Sequence, residues 1–67
     1  MNRELLRAEM NKRNMNASEL AELAKVEKST ISRILSGETA CTVATAGKIA
    51  QAMRLSNKAT IQIFFED

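Results

Sequence analysis

Four polar residues, Lys28, Ser29, Ser32 and Arg33, are spaced so that one helix would carry them on one side. They stand at i, i+1, i+4 and i+5, and an α-helix makes a turn in about 3.6 residues. All four side chains donate hydrogen bonds and none is acidic. Lysine and arginine can pair with guanine edges, and serine with several base edges or with phosphate. The pattern predicts a DNA-reading face, although a solvated face of an ordinary helical domain has the same spacing.

The helix that would carry these residues has its own apolar stripe and its own end signals. Ile31, Ile34 and Leu35 recur at the spacing of an amphipathic helix and would face a core. Glu27 is the predicted N-cap, with an acidic side chain that suits the positive end of the helix dipole. Gly37 supplies a left-handed stop just past the end. The polar residues then lie near the helix N-terminus, where a groove-inserted helix needs them.

A second short helix precedes this one and begins after Asn16. The Asn16 side chain can accept a free backbone N–H, and Glu19 can reach back to the N-cap, which makes a capping box. Val26 is apolar where the chain must turn, so it is expected to pack into the core. Residues 16–37 therefore predict two helices joined by a tight turn. The apolar stripe of the first of these helices would be Leu20, Leu23 and Ala24.

Three more helices complete the expected all-α fold. Residues 2–13 predict a first helix capped by Asn2, and residues 43–53 predict a fourth capped by Thr42. Residues 57–65 predict a last helix capped by Ser56, and residues 36–42 form a loop. Gly47 lies inside the fourth helix, where it is expected to permit close helix packing.

Composition bounds the class of protein. Sixty-seven residues make one domain, residues 1–67, and such a chain buries only about 60% of its unfolded surface. There is no His, and a single Cys41 cannot form an internal disulfide or a metal cluster, so a reducing cytoplasm is the expected location. No run of about 18 apolar residues predicts a membrane span. We expect no enzyme activity, no metal, no cofactor and no small-molecule ligand.

Residues 15–37, and more loosely the whole chain, resemble the Cro and phage-repressor family of helix-turn-helix regulators, the Xre type. The resemblance implies a compact five-helix domain like that of lambda repressor, with the helix-turn-helix in helices 2 and 3. It implies binding to a double-stranded DNA operator through the major groove, and regulation of transcription by repression. The matching features are Asn16, Glu19-Leu20-Ala21, Val26, the run from Ser29 to Ile34, Gly37 and Lys48-Ile49-Ala50.

The same resemblance implies which residues would contact DNA. Lys28, Ser29, Ser32 and Arg33 would read bases. For Lys12 and Arg13 at the end of helix 1, the alternative role is to complement the helix dipole. At the start of helix 4, the first backbone N–H groups could hold a phosphate. The implied phosphate or backbone contacts are Lys12, Arg13, Ala17, Ser18, Thr30, Thr42 and Val43.

The chain departs from the family pattern at three places. Ala17 stands where the family often has a phosphate-gripping Gln, and Lys25 stands where the turn often has Gly. Met10 and Leu35 occupy the positions of an Arg–Glu pair that many members share. An apolar contact is expected there in place of a buried ion pair, a change that is often neutral or stabilising.

The apolar residues of the last helix, Ile61, Ile63, Phe64 and Phe65, are too many for one face of so small a domain. An exposed remainder would mark an interface, and the resembled family often dimerises at this end. We therefore expect a homodimer through Ile61, Phe64 and Phe65, the alternative being that these residues complete the monomer core. A protein-interaction module, such as an antitoxin or an antirepressor partner, is the alternative function.

Overall fold

A computed structural model describes residues 1–66, and residue 67 of the expected domain 1–67 lies outside the described residues. Residues 1–66 form five helices and no strand. They are α1 (Arg3–Lys12), α2 (Ala17–Ala24), α3 (Lys28–Ser36), α4 (Val43–Met53) and α5 (Asn57–Phe64). The all-α prediction is confirmed, and α1 and α5 end within one residue of the predicted limits.

Side-chain caps begin four of the five helices. Each of these caps accepts a backbone N–H from the first turn at 2.8–3.1 Å. At α2 the capping box is complete, because the Asn16 N–H also donates to Glu19 Oε1 at 3.1 Å. Glu27 is the N-cap residue of α3, as predicted, but its side chain makes no capping hydrogen bond. The four caps that form are Asn2, Asn16, Thr42 and Ser56.

All five helices contribute to one apolar core. Burial of an aliphatic side chain of this size stabilises the fold by about 1.5–3 kcal/mol. Ile63 alone of the apolar residues of α5 is fully buried, and its carbonyl accepts the Asn2 N–H at 2.6 Å. The start of α1 is therefore tied to the last helix. The largest fully buried side chains are Leu6, Leu20, Ile31, Ile34, Ile49, Met53 and Ile63.

The turn between α2 and α3 is made by Lys25 and Val26. Lys25 adopts the left-handed conformation, with φ of 59°, at the position where the family often has Gly. Its N–H donates to the Glu22 carbonyl, and the Val26 N–H donates to the Ala21 carbonyl at 3.0 Å. Val26 is half-buried against the core, as predicted. These hydrogen bonds close the C-terminal end of α2, although a lysine is strained in this conformation.

Two other packing predictions have opposite outcomes. Met10 is buried and Leu35 packs half-buried against the same core, so the apolar replacement of the family's ion pair is confirmed. The prediction for Gly47 is wrong. A Cβ built there would meet no atom within 4 Å, so no helix approaches closely at that residue.

Candidate nucleic-acid interface

The two faces of α3 differ sharply in exposure. Ile31 and Ile34 are 1% and 2% exposed, because this face packs into the core. The opposite face carries Lys28, Ser29, Ser32 and Arg33, and all four side chains are exposed. Thr30, expected to assist near the DNA backbone, is half-buried between the two faces. The structure thus places the four predicted base-reading residues together on one free surface of one helix.

The C-terminal end of α3 is held by the rest of the protein. Gly37 ends the helix at φ of 86°, and the Arg33 carbonyl accepts the Glu38 N–H at 3.0 Å. Arg7 of α1 donates from Nη2 to the Leu35 carbonyl at 2.9 Å. Arg3 lies beside Gly37, with its Cζ 3.2 Å from where a Cβ would stand. Two cations of α1 therefore stand at the negative end of the α3 dipole.

Arg7 is a residue whose role the sequence does not reveal. Its spacing in α1 predicts a water-facing cation, and its partner lies 28 residues further along the chain. This hydrogen bond joins α1 to the C-terminal end of α3. Nothing in the local sequence around Arg7 signals a carbonyl that belongs to another helix.

The N-terminal end of α3 is left open by comparison. Glu27 stands at the N-cap with extended backbone, but its carboxylate does not accept a first-turn N–H. Instead its Oε2 accepts the Ser29 hydroxyl at 3.4 Å. Glu27 is exposed and forms no ion pair with any of residues 1–66. An acidic group therefore stands beside the donors Lys28 and Ser29, although its position before α3 predicts a capping side chain.

The predicted phosphate contacts at α2 and α4 lie at the first residues of those helices. Ala17 is half-buried, and Ser18 is exposed. Thr42 and Val43 are both exposed, and Val43 is 74% exposed although it is apolar. The first N–H groups of a helix have no partner inside it and can bind anions. Ala17 also lines an open cleft with Leu35, so the start of α2 lies near the end of α3.

The two cations at the end of α1 are placed differently from each other. Lys12 is 71% exposed and makes a long contact of 3.5 Å with Glu9 Oε2. Arg13 is 30% exposed, and its guanidinium donates to the Met53 carbonyl at 3.0 Å and to Glu9 Oε1 at 2.7 Å. The hydrogen bond from Arg13 holds the pKa of Glu9 below its ordinary value, and the charge of Lys12 adds to this. Arg13 thus joins α1 to the end of α4.

The apolar residues of α5 divide between the core and the surface. Ile61 is 48% exposed and Phe65 is 56% exposed. Phe64 is half-buried against the core, and its ring meets that of Phe65 edge to face with centroids 6.5 Å apart. The predicted dimer residues therefore form one partly exposed apolar surface at the end of the chain.

The remaining titratable groups and the helices themselves show neither a metal site nor a membrane span within residues 1–66. Within residues 1–66 no group of three or more His, Cys, Asp or Glu side chains is arranged to hold a metal ion. Over that same range no helix combines the length and the apolar character needed to cross a membrane. Burial raises the pKa of the Cys41 thiol, which favours its neutral form.

The comparisons with known proteins identify a family. A family model described as helix-turn-helix matches residues 6–56, which is more than half of the 67-residue chain. The match begins in α1, includes all of α2, α3 and α4, and stops before α5. It therefore contains the exposed face of α3 and leaves out the apolar residues of α5. No curated protein and no solved structure matches the chain.

Proposed function

This chain belongs to the helix-turn-helix family of the Cro and phage-repressor type, and on that premise we propose that it is a repressor of phage or mobile-element type. Membership makes it a DNA-binding regulator of transcription. The proposal adds that it binds a specific, two-fold-symmetric operator as a dimer. The observation that supports it best is the division of α3 into a buried apolar face and an exposed face with four hydrogen-bond donors.

In this proposal the first six residues of α3 enter the major groove. Lys28, Ser29 and Arg33 read base edges, and Ser32 assists them or contacts an adjacent phosphate. Thr30 is half-buried, which restricts it to a contact at the edge of the groove. A recognition helix needs its reading residues near its N-terminus, and these residues span the first six positions of α3.

The phosphate contacts come from three helix ends. Lys12 is well exposed and can reach a phosphate, whereas Arg13 would first have to give up its hydrogen bonds to Met53 and Glu9. The formal net charge is only +2, so affinity depends on where the cations stand rather than on their number. Binding should weaken with added salt because each phosphate contact releases counterions. The remaining contacts in the proposal are Ala17, Ser18, Thr42 and Val43.

The dimer would form through the exposed apolar end of α5. Ile61 and Phe65 are exposed and Phe64 is half-buried, while Ile63 already completes the core. Covering such a surface with a second copy would bury apolar area. Two-fold symmetry would place the two α3 helices about 34 Å apart, one turn of DNA. Sedimentation that shows only monomer at hundreds of micromolar, with and without operator, would remove the dimer.

Selection from a random duplex library at about 150 mM salt, followed by sequencing, tests the whole proposal. A specific dimer should enrich a two-fold-symmetric site with half-sites about 10 base pairs apart. Enrichment of one unsymmetrical half-site would keep specific binding and reject the dimer. No enrichment, together with capture of a partner protein by the α5 surface, would favour the protein-interaction module, since exposed Ile61 and Phe65 suit that function too.

A further inference from the structure

Glu27 differs from the other four N-cap residues of the described chain. Asn2, Asn16, Thr42 and Ser56 each accept a backbone N–H with their side chain, whereas Glu27 accepts none. Its carboxylate forms no ion pair with any of residues 1–66. One oxygen, Oε2, accepts the Ser29 hydroxyl, and no described residue donates to Oε1. The carboxylate is thus an exposed acceptor at the end of α3 that would enter the groove.

A carboxylate at this position is unfavourable for general DNA affinity. It would lie close to phosphates, and like charges repel. It adds nothing to the core, because Glu27 is exposed. A hydrogen bond from a base to the Glu27 carboxylate would offset this repulsion. A base that presents only a donor in the major groove could make that bond. Such a role also fits the neighbours of Glu27 in the chain, Lys28 and Ser29, which are donors on the same helix end.

We propose that Glu27 sets base specificity by accepting a hydrogen bond from the N4 amino group of a cytosine in each half-site. In the major groove cytosine presents this amino donor, whereas guanine and thymine present acceptors that a carboxylate repels. Adenine presents an N7 acceptor beside its N6 amino donor. The N7 acceptor repels a carboxylate, so adenine is a poorer partner for Glu27 than cytosine. The Ser29 hydroxyl donates to Oε2 at 3.4 Å, which leaves Oε1 for one base and the acceptor lone pairs of the Ser29 oxygen for another. This inference rests on the proposed operator-binding function.

Glu38 provides a matched control at the other end of α3. It is also exposed, and its Oε2 lies 3.3 Å from the hydroxyl oxygen of Ser36, much as Oε2 of Glu27 lies 3.4 Å from that of Ser29. Both substitutions, Glu27→Gln and Glu38→Gln, remove one negative charge. They differ only in whether the lost carboxylate lies at the N-terminal or the C-terminal end of α3. A simple charge effect would therefore be shared by the two variants, and a base contact would not.

The experiment repeats the library selection with the wild type, Glu27→Ala, Glu27→Gln and Glu38→Gln. In the wild type one position of each half-site should be cytosine. Glu27→Ala should lose about 5- to 150-fold discrimination at that position alone, the range of one good base contact. Glu27→Gln should shift it toward adenine, which glutamine reads through N6 and N7. Glu38→Gln should bind all duplexes slightly more tightly with unchanged base preferences. Thermal unfolding checks that all four proteins are folded.

Three results would overturn the inference, and only the last of them would also remove the proposed function. If the wild type enriches a site and Glu27→Ala enriches the same site with every base preference intact, Glu27 reads no base and the operator-binding function stands. If Glu27→Gln binds all duplexes more tightly by the same factor as Glu38→Gln, Glu27 acts only as a repulsive charge. If the wild type enriches no site, the proposed function fails and this inference fails with it.

Discussion

The two ends of α3 are held in opposite ways. At the C-terminal end the Arg33 carbonyl accepts the Glu38 N–H and the Ser36 hydroxyl, and the Leu35 carbonyl accepts Arg7. Gly37 adds a left-handed stop. At the N-terminal end no side chain caps the helix, although α2 next to it begins with a complete capping box. The protein fixes one end of this helix and leaves the first-turn N–H groups of the other without a side-chain cap.

This contrast between the two ends of α3 indicates that its C-terminal end contributes to stability and its N-terminal end to recognition. Groups bonded within the protein cannot also bind a ligand without breaking those bonds, so the C-terminal end is suited to orienting α3. The N-terminal end, with exposed Lys28 and Ser29, is suited to meeting DNA. Substitutions at the two ends, and on the two faces, should therefore affect different measurements.

The largest expected effect comes from Ile31→Ala, on the buried face near the open end. Ile31 is 1% exposed, and with no side-chain cap beside it, it is a principal anchor of the first turns of α3. Removing it should lower the free energy of unfolding by about 2–5 kcal/mol, measured by urea denaturation. Ser32→Ala, the neighbouring residue on the exposed face, should change stability by less than about 0.5 kcal/mol. Equal losses in the two variants would contradict the division into faces.

Arg33→Ala should act on binding and leave stability nearly unchanged. Loss of one base-reading arginine should weaken operator binding by about 1–3 kcal/mol and relax the preference at one base pair. Lys12→Ala is the matched comparison, because a phosphate contact should weaken operator and random DNA alike. Fluorescence anisotropy against both duplexes separates the two. A loss from Arg33→Ala that is the same on random DNA would contradict base reading.

The held end of α3 can be tested with the two glycines of the chain. Gly37→Ala should destabilise by about 1–2 kcal/mol, because φ of 86° is strained for alanine. Its new Cβ would also stand 3.2 Å from Arg3 Cζ. Gly47→Ala should instead stabilise by about 0.5–1 kcal/mol, since the site is open and lies within α4. Thermal unfolding measures both, and a change of the same sign in the two variants would be unexpected.

The smallest expected effect concerns Glu9, which accepts a hydrogen bond from Arg13 at a place remote from α3. Its pKa is lowered in the folded state from an ordinary value of 4.5, so its contribution to stability is present above that pH. The contribution is lost as the pH falls through the lowered pKa, when the carboxylate is protonated. Glu9→Gln should reduce the loss of unfolding free energy at acid pH, by no more than about 1 kcal/mol. Urea denaturation at a series of pH values measures this. A variant with the same acid dependence as the wild type would show that other carboxylates cause it.

Local signals predict most of the fold, and contacts between helices account for what they miss. Asn16 and Thr42 are recognised as caps because a cap and its N–H lie within one turn. The contact of Arg7 with Leu35 and that of Arg13 with Met53 span 28 and 40 residues, and no local pattern encodes them. Glu27 has the position and charge of a cap, and only its side-chain geometry shows that it does not act as one.

An NMR titration would show whether the exposed N-terminal face of α3 binds DNA. Backbone amide shifts would be followed while the duplex selected from the library is added to the folded protein. We expect the largest changes at residues 27–33, with smaller ones at Lys12 and at the start of α4. Changes confined to α5, with α3 unaffected, would show that the DNA-binding surface lies elsewhere.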